Sequence, residues 1–428
     1  VLERSGKDVK KLAIEGGNPV RSKPWPKWPL FSERDKQELA AVLDDGRLTS
    51  ITGPKVREFE EKYAARFGAR YAVACSSGVT ALHLALSALE IGPGDEVIVP
   101  AHTFIGTAIP VLMANAIPIF ADVRPDSFNL DPERLEAAIT SRTRAVIPVH
   151  LNGLPADMDA IRAVAGRRGL RVVEDACQAH GARYRGRPAG VLADLAAFSF
   201  FEDKVITTGE GGMVLTDSEE LFERARAVRS YGEAPIADGA ERRYEHLLLG
   251  FNYRLGALNA ALGINQLDRL EEMVEKRNRN ARYLRRQLDQ VPGIVPPAEF
   301  PDCRHAYYKF VCLLEPRVVG RSGAEFAAAL KAEGIPATPR YPTPLPLQQV
   351  FRQRLGYGRT RCPYDCDKYG LALDYASGSW PVAERVGRQS FVLLIHPSVE
   401  EADLQEAADA VAKVAKSPAR RRGAPAPA

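Results

Sequence analysis

The chain has 428 residues, 45% of them apolar and 26% charged, which suits an ordinary globular protein and is enough for two or three structural units. Its 58 basic and 54 acidic residues leave a net charge of only +4, so nothing electrostatic argues for nucleic acid as a partner. No apolar run reaches the ~18 residues of a membrane helix and no signal peptide is apparent, so no membrane partner is expected and a cytoplasmic location is. Six scattered cysteines fit a reducing compartment. Cys362 and Cys366 have no second pair at zinc-ribbon spacing, so ordinary thiols are expected, and no metal site.

Residues 1–31 form an N-terminal arm ending in Pro24-Trp25-Pro26-Lys27-Trp28-Pro29, where prolines forbid a regular helix and the segment needs something to pack against. A helical pattern runs from about residue 32 to Leu43. Seven β-rich runs follow: Tyr71–Ala74, Glu96–Val99, Pro118–Val123, Ala145–Val149, Arg171–Glu174, Ala196–Phe200 and Met213–Thr216. Helical stretches such as Val79–Ala88, Met158–Arg167 and Glu219–Arg229 lie between them. This alternation predicts an α/β fold with a mostly parallel seven-stranded sheet covered on both faces, within a large domain over residues 32–270.

A long helix is expected from Gly256 to Gln290, with Leu255, Leu258 and Leu262 on one face, as a connector between domains. Residues 271–415 then predict a smaller C-terminal α+β domain, with strands Tyr308–Leu314 and Phe391–Ile395 and helices Ala324–Glu333 and Ala402–Val414. Residues 416–428, with Arg420, Arg421 and Arg422 beside Ala, Pro and Gly, predict a flexible tail.

Four segments carry chemistry, each at a predicted strand end. Val172-Val173 runs into Glu174-Asp175, and carboxylates at the end of a parallel strand face the crevice where such sheets bind ligands. A helix cap or a surface acid is an equally good reading of these two from spacing alone. Ser199-Phe200-Phe201-Glu202-Asp203 leads to Lys204, and a Gly-rich turn through Gly209, Gly211 and Gly212 follows. A lysine enclosed by apolar walls loses its proton and attacks carbonyls, although most lysines are merely solvated. Ser76-Ser77-Gly78-Val79 opens a helix, which offers free amides to an anion and equally an N-cap serine. Phe104 follows the second strand, either as core or as the cover of a flat ring. His150 and His180 also lie near strand ends, and neither needs a catalytic role. Pyridoxal phosphate needs a lysine, a carboxylate for its pyridine nitrogen, an anion cradle and a ring cover, and all four are present.

These residues resemble the DegT/DnrJ/StrS family of PLP-dependent sugar and cyclitol aminotransferases, with the type I PLP-dependent transferase fold. The resemblance covers nearly the whole chain. It is carried by Leu12–Pro19, Ser77–Leu82, Glu174–Gly181, Ser199–Lys204, Thr208–Gly212, Gly250–Leu255 and Tyr341–Leu345. It implies that Lys204 joins covalently to the cofactor and shuttles protons, and that Asp175 pairs with the pyridine nitrogen. It further implies Gln178 beside the phenolic oxygen, Phe104 stacked on the ring, and Ser77, Ser199 and the amides of Gly78 and Val79 around the phosphate. Asn252 is implied to reach the phosphate of a neighbouring subunit in a homodimer, and His305 and Tyr341 to lie on the substrate side. Val79, Phe201 and Asn152 depart from residues common in the family, which alters the substrate side and one hydroxyl of the cradle.

The implied reaction moves an amino group from glutamate or glutamine to a nucleotide-linked keto-sugar or a keto-cyclitol such as scyllo-inosose, in amino-sugar or antibiotic biosynthesis. Trp25–Pro29 and Trp380–Arg385 look more like the cyclitol branch. A dehydratase or an aminohydroxybenzoate-synthase-like enzyme of the same fold, and a non-catalytic regulatory relative, are the alternatives. Lys204 itself argues against the dehydratase, in which histidine replaces the lysine.

Overall fold

The computed structural model describes residues 11–234, 244–369 and 373–417. The first ten residues of the arm and the Arg420–Arg422 run of the tail lie outside the described residues.

The main sheet has seven strands: β1 Tyr71–Cys75, β2 Glu96–Pro100, β3 Ile117–Ala121, β4 Thr143–Val146, β5 Arg171–Asp175, β6 Leu195–Ser199 and β7 Gly212–Thr216. Their order is β1-β7-β6-β5-β4-β2-β3. The pairs β3–β2, β2–β4, β4–β5 and β5–β6 are parallel, while β7 runs antiparallel to both β1 and β6. Every residue of β2, β6 and β7 is buried, as the near-continuous apolar runs demand of strands covered on both faces. The side-chain period of two divides the cover: Val73 and Cys75 join the core under helix Gly78–Ala88, while Ala72 and Ala74 face Val56, Phe59, Tyr63 and Phe67 of helix Lys55–Phe67.

A second sheet holds β8 Ile294–Val295, β9 Phe310–Leu314, β10 Ala337–Pro339 and β11 Ser390–Leu393, in the order β8-β9-β11-β10 and antiparallel throughout. Helices Gly323–Ala332 and Glu401–Lys416 close its core through Phe326, Leu330, Leu404 and Val411. The arm packs against both halves. Trp25 lies on this second core, and Trp28 lies on the first.

Two expectations need correction. The single long helix is two, Ala257–Asp268 and Leu270–Leu288, broken at Arg269. The first packs on helices Glu33–Asp45 and Lys55–Phe67, the second on Glu401–Lys416, so the buried face must change direction. Arg269 holds the break by donating to Asp35 at 2.7 Å. The second correction concerns Cys362 and Cys366, which form a disulfide instead of remaining thiols. The chain turns back between them, Cys366 N–H donating to the Pro363 carbonyl, and their Cα atoms come within 5.3 Å.

Candidate functional site

Because β5 and β6 run parallel and in register, with Asp175 opposite Ala197, their carboxyl ends open at one edge of the sheet. β2 ends at the same edge and leads into His102-Thr103-Phe104. Lys204 sits in the turn after β6, where its N–H donates to the Phe201 carbonyl and Thr207 and Thr208 tie back to Phe200. Trp28 of the arm donates its indole N–H to the Lys204 carbonyl at 3.3 Å.

The Lys204 Nζ lies 3.4 Å from the Tyr308 hydroxyl and 4.4 Å from the centre of its ring. Tyr308 donates its proton to Asp203 (2.7 Å), which also pairs with Lys309 (2.9 Å). Burial holds the Lys204 ammonium below its ordinary pKa, opposed by the nearby Asp203 carboxylate. Burial also pushes Lys309 down to about 8. An amine in such surroundings reaches its neutral, nucleophilic form at less alkaline pH than a solvated lysine.

Asp175 is buried and close enough for its charge to act on Lys204. Thr107 donates to its Oδ2 at 2.7 Å, and the Cys177 N–H donates to its Oδ1 at 3.2 Å. Glu174, the other acid of the pair, points the opposite way. It accepts from Gly190 and Leu192 amides and bonds His150 at 2.8 Å, which makes it a fully satisfied structural group. His180 is likewise structural: it bridges Tyr63 and the Ser199 carbonyl, and burial lowers its pKa to about 3.

Ser77 caps helix Gly78–Ala88, its hydroxyl accepting from Thr80 N–H. The Gly78 and Val79 amides make no hydrogen bond among the described residues, so this helix end presents two free donors. Gly78 abuts Ser199 so closely that a Cβ there would stand 2.7 Å from the Ser199 Cβ and 2.9 Å from the Cys177 Sγ. The cap reading and the anion reading of this turn are therefore compatible: one serine caps, two amides stay open.

Gln178 is buried and its amide is fixed. Its Oε1 accepts from the Asn152 N–H and from Arg340, both at 2.8 Å, which turns its Nε2 toward the Tyr341 hydroxyl at 3.4 Å. Phe104 is 53% exposed, so it is not core, and its ring stands 6.3 Å from that of Tyr341. Asn252 is exposed on a strip whose next residue, Tyr253, accepts from the Ser76 N–H, and so lies beside the cradle. His305 lies outside this group: it stacks on Tyr307 at 3.9 Å and lines a small hollow with Asn152 and Lys309.

Sequence reasoning did not find Thr107, Tyr308 or Arg340. Thr107 stood three residues beyond Phe104, and Arg340 directly before Tyr341, so proximity to named residues was the available signal. Among the described residues no group of histidine, cysteine and acidic side chains could hold a metal ion, and no helix is long and apolar enough to cross a membrane.

The model of the DegT/DnrJ/EryC1/StrS aminotransferase family matches residues 29–369. The L-glutamine:2-deoxy-scyllo-inosose aminotransferase of Streptomyces paromomycinus is 36% identical over 424 residues, 95% of this chain and 98% of the relative. The dTDP-3-amino-3,4,6-trideoxy-alpha-D-glucose transaminase of Streptomyces venezuelae is 39% identical over 374 residues, 87% of this chain and 90% of the relative. Among solved structures, S. venezuelae DesV in complex with a ketimine intermediate superposes with a TM-score of 0.78 at 38% identity, covering 90% of this chain and 94% of that one.

Proposed function

This chain belongs to the DegT/DnrJ/EryC1/StrS aminotransferase family, and from that premise we propose that it is a PLP-dependent enzyme carrying an amino group from glutamate or glutamine to a keto-sugar or keto-cyclitol. The observation that carries the reading is the gathering of Lys204, Asp175 and the open amides of Gly78 and Val79 at one sheet edge. The residues present fit the cofactor: the free helix end and the Gly78–Ser199 approach leave backbone donors, with the Ser199 hydroxyl beside them, where a phosphate would sit.

When bound, pyridoxal phosphate supplies an aldehyde and a ring that accepts electrons. Lys204 Nζ would hold the aldehyde, and Asp175 the ring nitrogen. Gln178 would donate to the phenolic oxygen through Nε2, the one end of its amide not taken by Asn152 and Arg340. Ser199, Ser77, Gly78 and Val79 would hold the phosphate, with Asn252 arriving from a second copy in a homodimer. Lys204 Nζ would move protons at the substrate carbon, a role that its lowered pKa favours. Tyr308 and Asp203 orient that amine between transfers. Phe104 would cover the ring, and Tyr341 stands on the substrate side.

Relatives acting on an inosose and on a nucleotide-linked sugar both match over most of the chain. Between them, the Trp25–Pro29 and Trp380–Arg385 segments favour the keto-cyclitol. The experiment is an absorbance spectrum of the purified protein. A yellow band is expected, bleached by glutamate or glutamine and missing in Lys204→Ala; the bleached form, offered keto-cyclitols and keto-sugars in turn, regains its colour with the true acceptor. A colourless protein that ignores added cofactor contradicts the reading.

A further inference from the structure

Four arginines are buried among the described residues: Arg21, Arg229, Arg277 and Arg340. Arg21 pairs with Asp403 and Arg229 with Glu60. Arg277 donates to the carbonyls of Tyr307 and Tyr308 and lies over Trp28. Neither Arg277 nor Arg340 has an ion-pair partner among the described residues, and of the two it is Arg340 whose charge acts on Lys204. Arg340 stacks on Tyr341 with 4.1 Å between guanidinium carbon and ring centre, and its hydrogen-bond partners are two neutral side-chain amides. A buried guanidinium without a counter-charge is costly, so the pocket is built for an anion that the chain does not supply.

The geometry says where that anion docks. Nε donates to Asn152 Oδ1 and Nη2 to Gln178 Oε1, both at 2.8 Å, so one side of the planar fork is occupied. The opposite edge, Nη1 with the second hydrogen of Nη2, has no partner among the described residues, and Nη1 is not sealed from open space. Two parallel N–H groups on one edge match the two oxygens of a carboxylate. Arg340 is near enough to Lys204 for its charge to lower the lysine's pKa. The carboxylates of Asp203 and Asp175 act on Lys204 in the opposite sense.

Resting on the aminotransferase reading above, we propose that the free edge of Arg340 receives the α-carboxylate of the amino donor. Glutamate and glutamine share that group, whereas a keto-cyclitol has none. Arg340 thus selects the donor, and Asn152 and Gln178 hold it in position to do so.

The probe is glutarate, a donor analogue without an amine to react, titrated into the yellow holoprotein and followed by absorbance and calorimetry. The wild-type protein should bind it, and Arg340→Gln should bind it about 10- to 100-fold more weakly, the scale of a lost bidentate charge-assisted pair. Arg340→Lys, which keeps the charge and loses the fork, should fall between. The retained yellow band reports that each variant is folded and loaded, and Arg340→Lys serves if Arg340→Gln does not fold. Equal glutarate affinity in wild type and variants overturns the proposal. So does a variant whose only change is the pH at which its free chromophore titrates, because Arg340 would then serve the cofactor's own oxygen. A wild-type protein that never turns yellow instead overturns the function on which the proposal rests.

Discussion

At the scale of single residues, the site works by holding charges where water would otherwise dissipate them. The Thr107 hydroxyl donates to Asp175 Oδ2 at 2.7 Å. Thr107→Val should therefore slow amine transfer about 10-fold, one charge-assisted hydrogen bond of ~1.4 kcal/mol, without loss of the yellow band. The check is a single-turnover rate with glutamate. Lys204 is lowered by burial and raised by Asp203, so Asp203→Asn should move its pKa further down. Acylation of the cofactor-free protein across pH, with the Lys204 peptide quantified by mass spectrometry, should show labelling that begins at lower pH in the variant. An unchanged profile would mean that Asp203 serves Lys309 and Tyr308 without acting on Lys204. The strands that carry Lys204, Asp175 and the Ser77 turn to one edge of the sheet were legible because each is an apolar run. Thr107, Tyr308 and Arg340 were not, because their importance lies in contacts across 68, 104 and 162 positions of sequence.

At the scale of elements, the helix Gly78–Ala88 is the piece most exposed to change. Ser77→Ala removes its cap, with an expected loss of about 0.5–2 kcal/mol in denaturant unfolding. Gly78→Ala puts a methyl 2.7 Å from the Ser199 Cβ, so it should cost about 1–3 kcal/mol of stability and lower cofactor affinity as well. Cofactor titration of both variants against wild type tests the cradle; cofactor binding unchanged in both would argue against it. All seven strands of the main sheet were legible, since strands buried on both faces are short apolar runs between turn residues. The direction of β7 was not, because a fully buried run such as Gly212–Thr216 carries no mark of its orientation. Helix Lys55–Phe67 was overlooked although Val56, Phe59, Tyr63 and Phe67 repeat at helical spacing before Gly68. The break at Arg269 leaves no such trace: Leu267 and Leu270 keep a helical interval, and only the partner, Asp35, explains the turn.

At the scale of the whole molecule, the two sheets and the arm meet at Lys204: β6 supplies its turn, Tyr308 and Lys309 come from the chain just ahead of β9, and Trp28 from the arm. The same packing buries histidines in neutral form. Burial lowers His102, His180, His305 and His396 to about 3, from an ordinary 6.5. Unfolded, these groups take up protons near pH 6.5; folded, they do so only near 3. The unfolded state therefore binds more protons in between, and stability should fall steadily as pH drops through that window. Denaturant midpoints at several pH values test this, and His180→Gln should flatten the slope by about one proton if it folds. A midpoint independent of pH from 6.5 to 4 would contradict the burial of these rings.

The claim on which all else depends is a covalent bond between Lys204 and the cofactor. Reduction of the yellow holoprotein with borohydride, followed by protease digestion and mass spectrometry, locates that bond. The added mass should appear on the peptide holding Lys204 and on no other lysine. A pyridoxyl group found on Lys309, or on no peptide at all, would contradict the account.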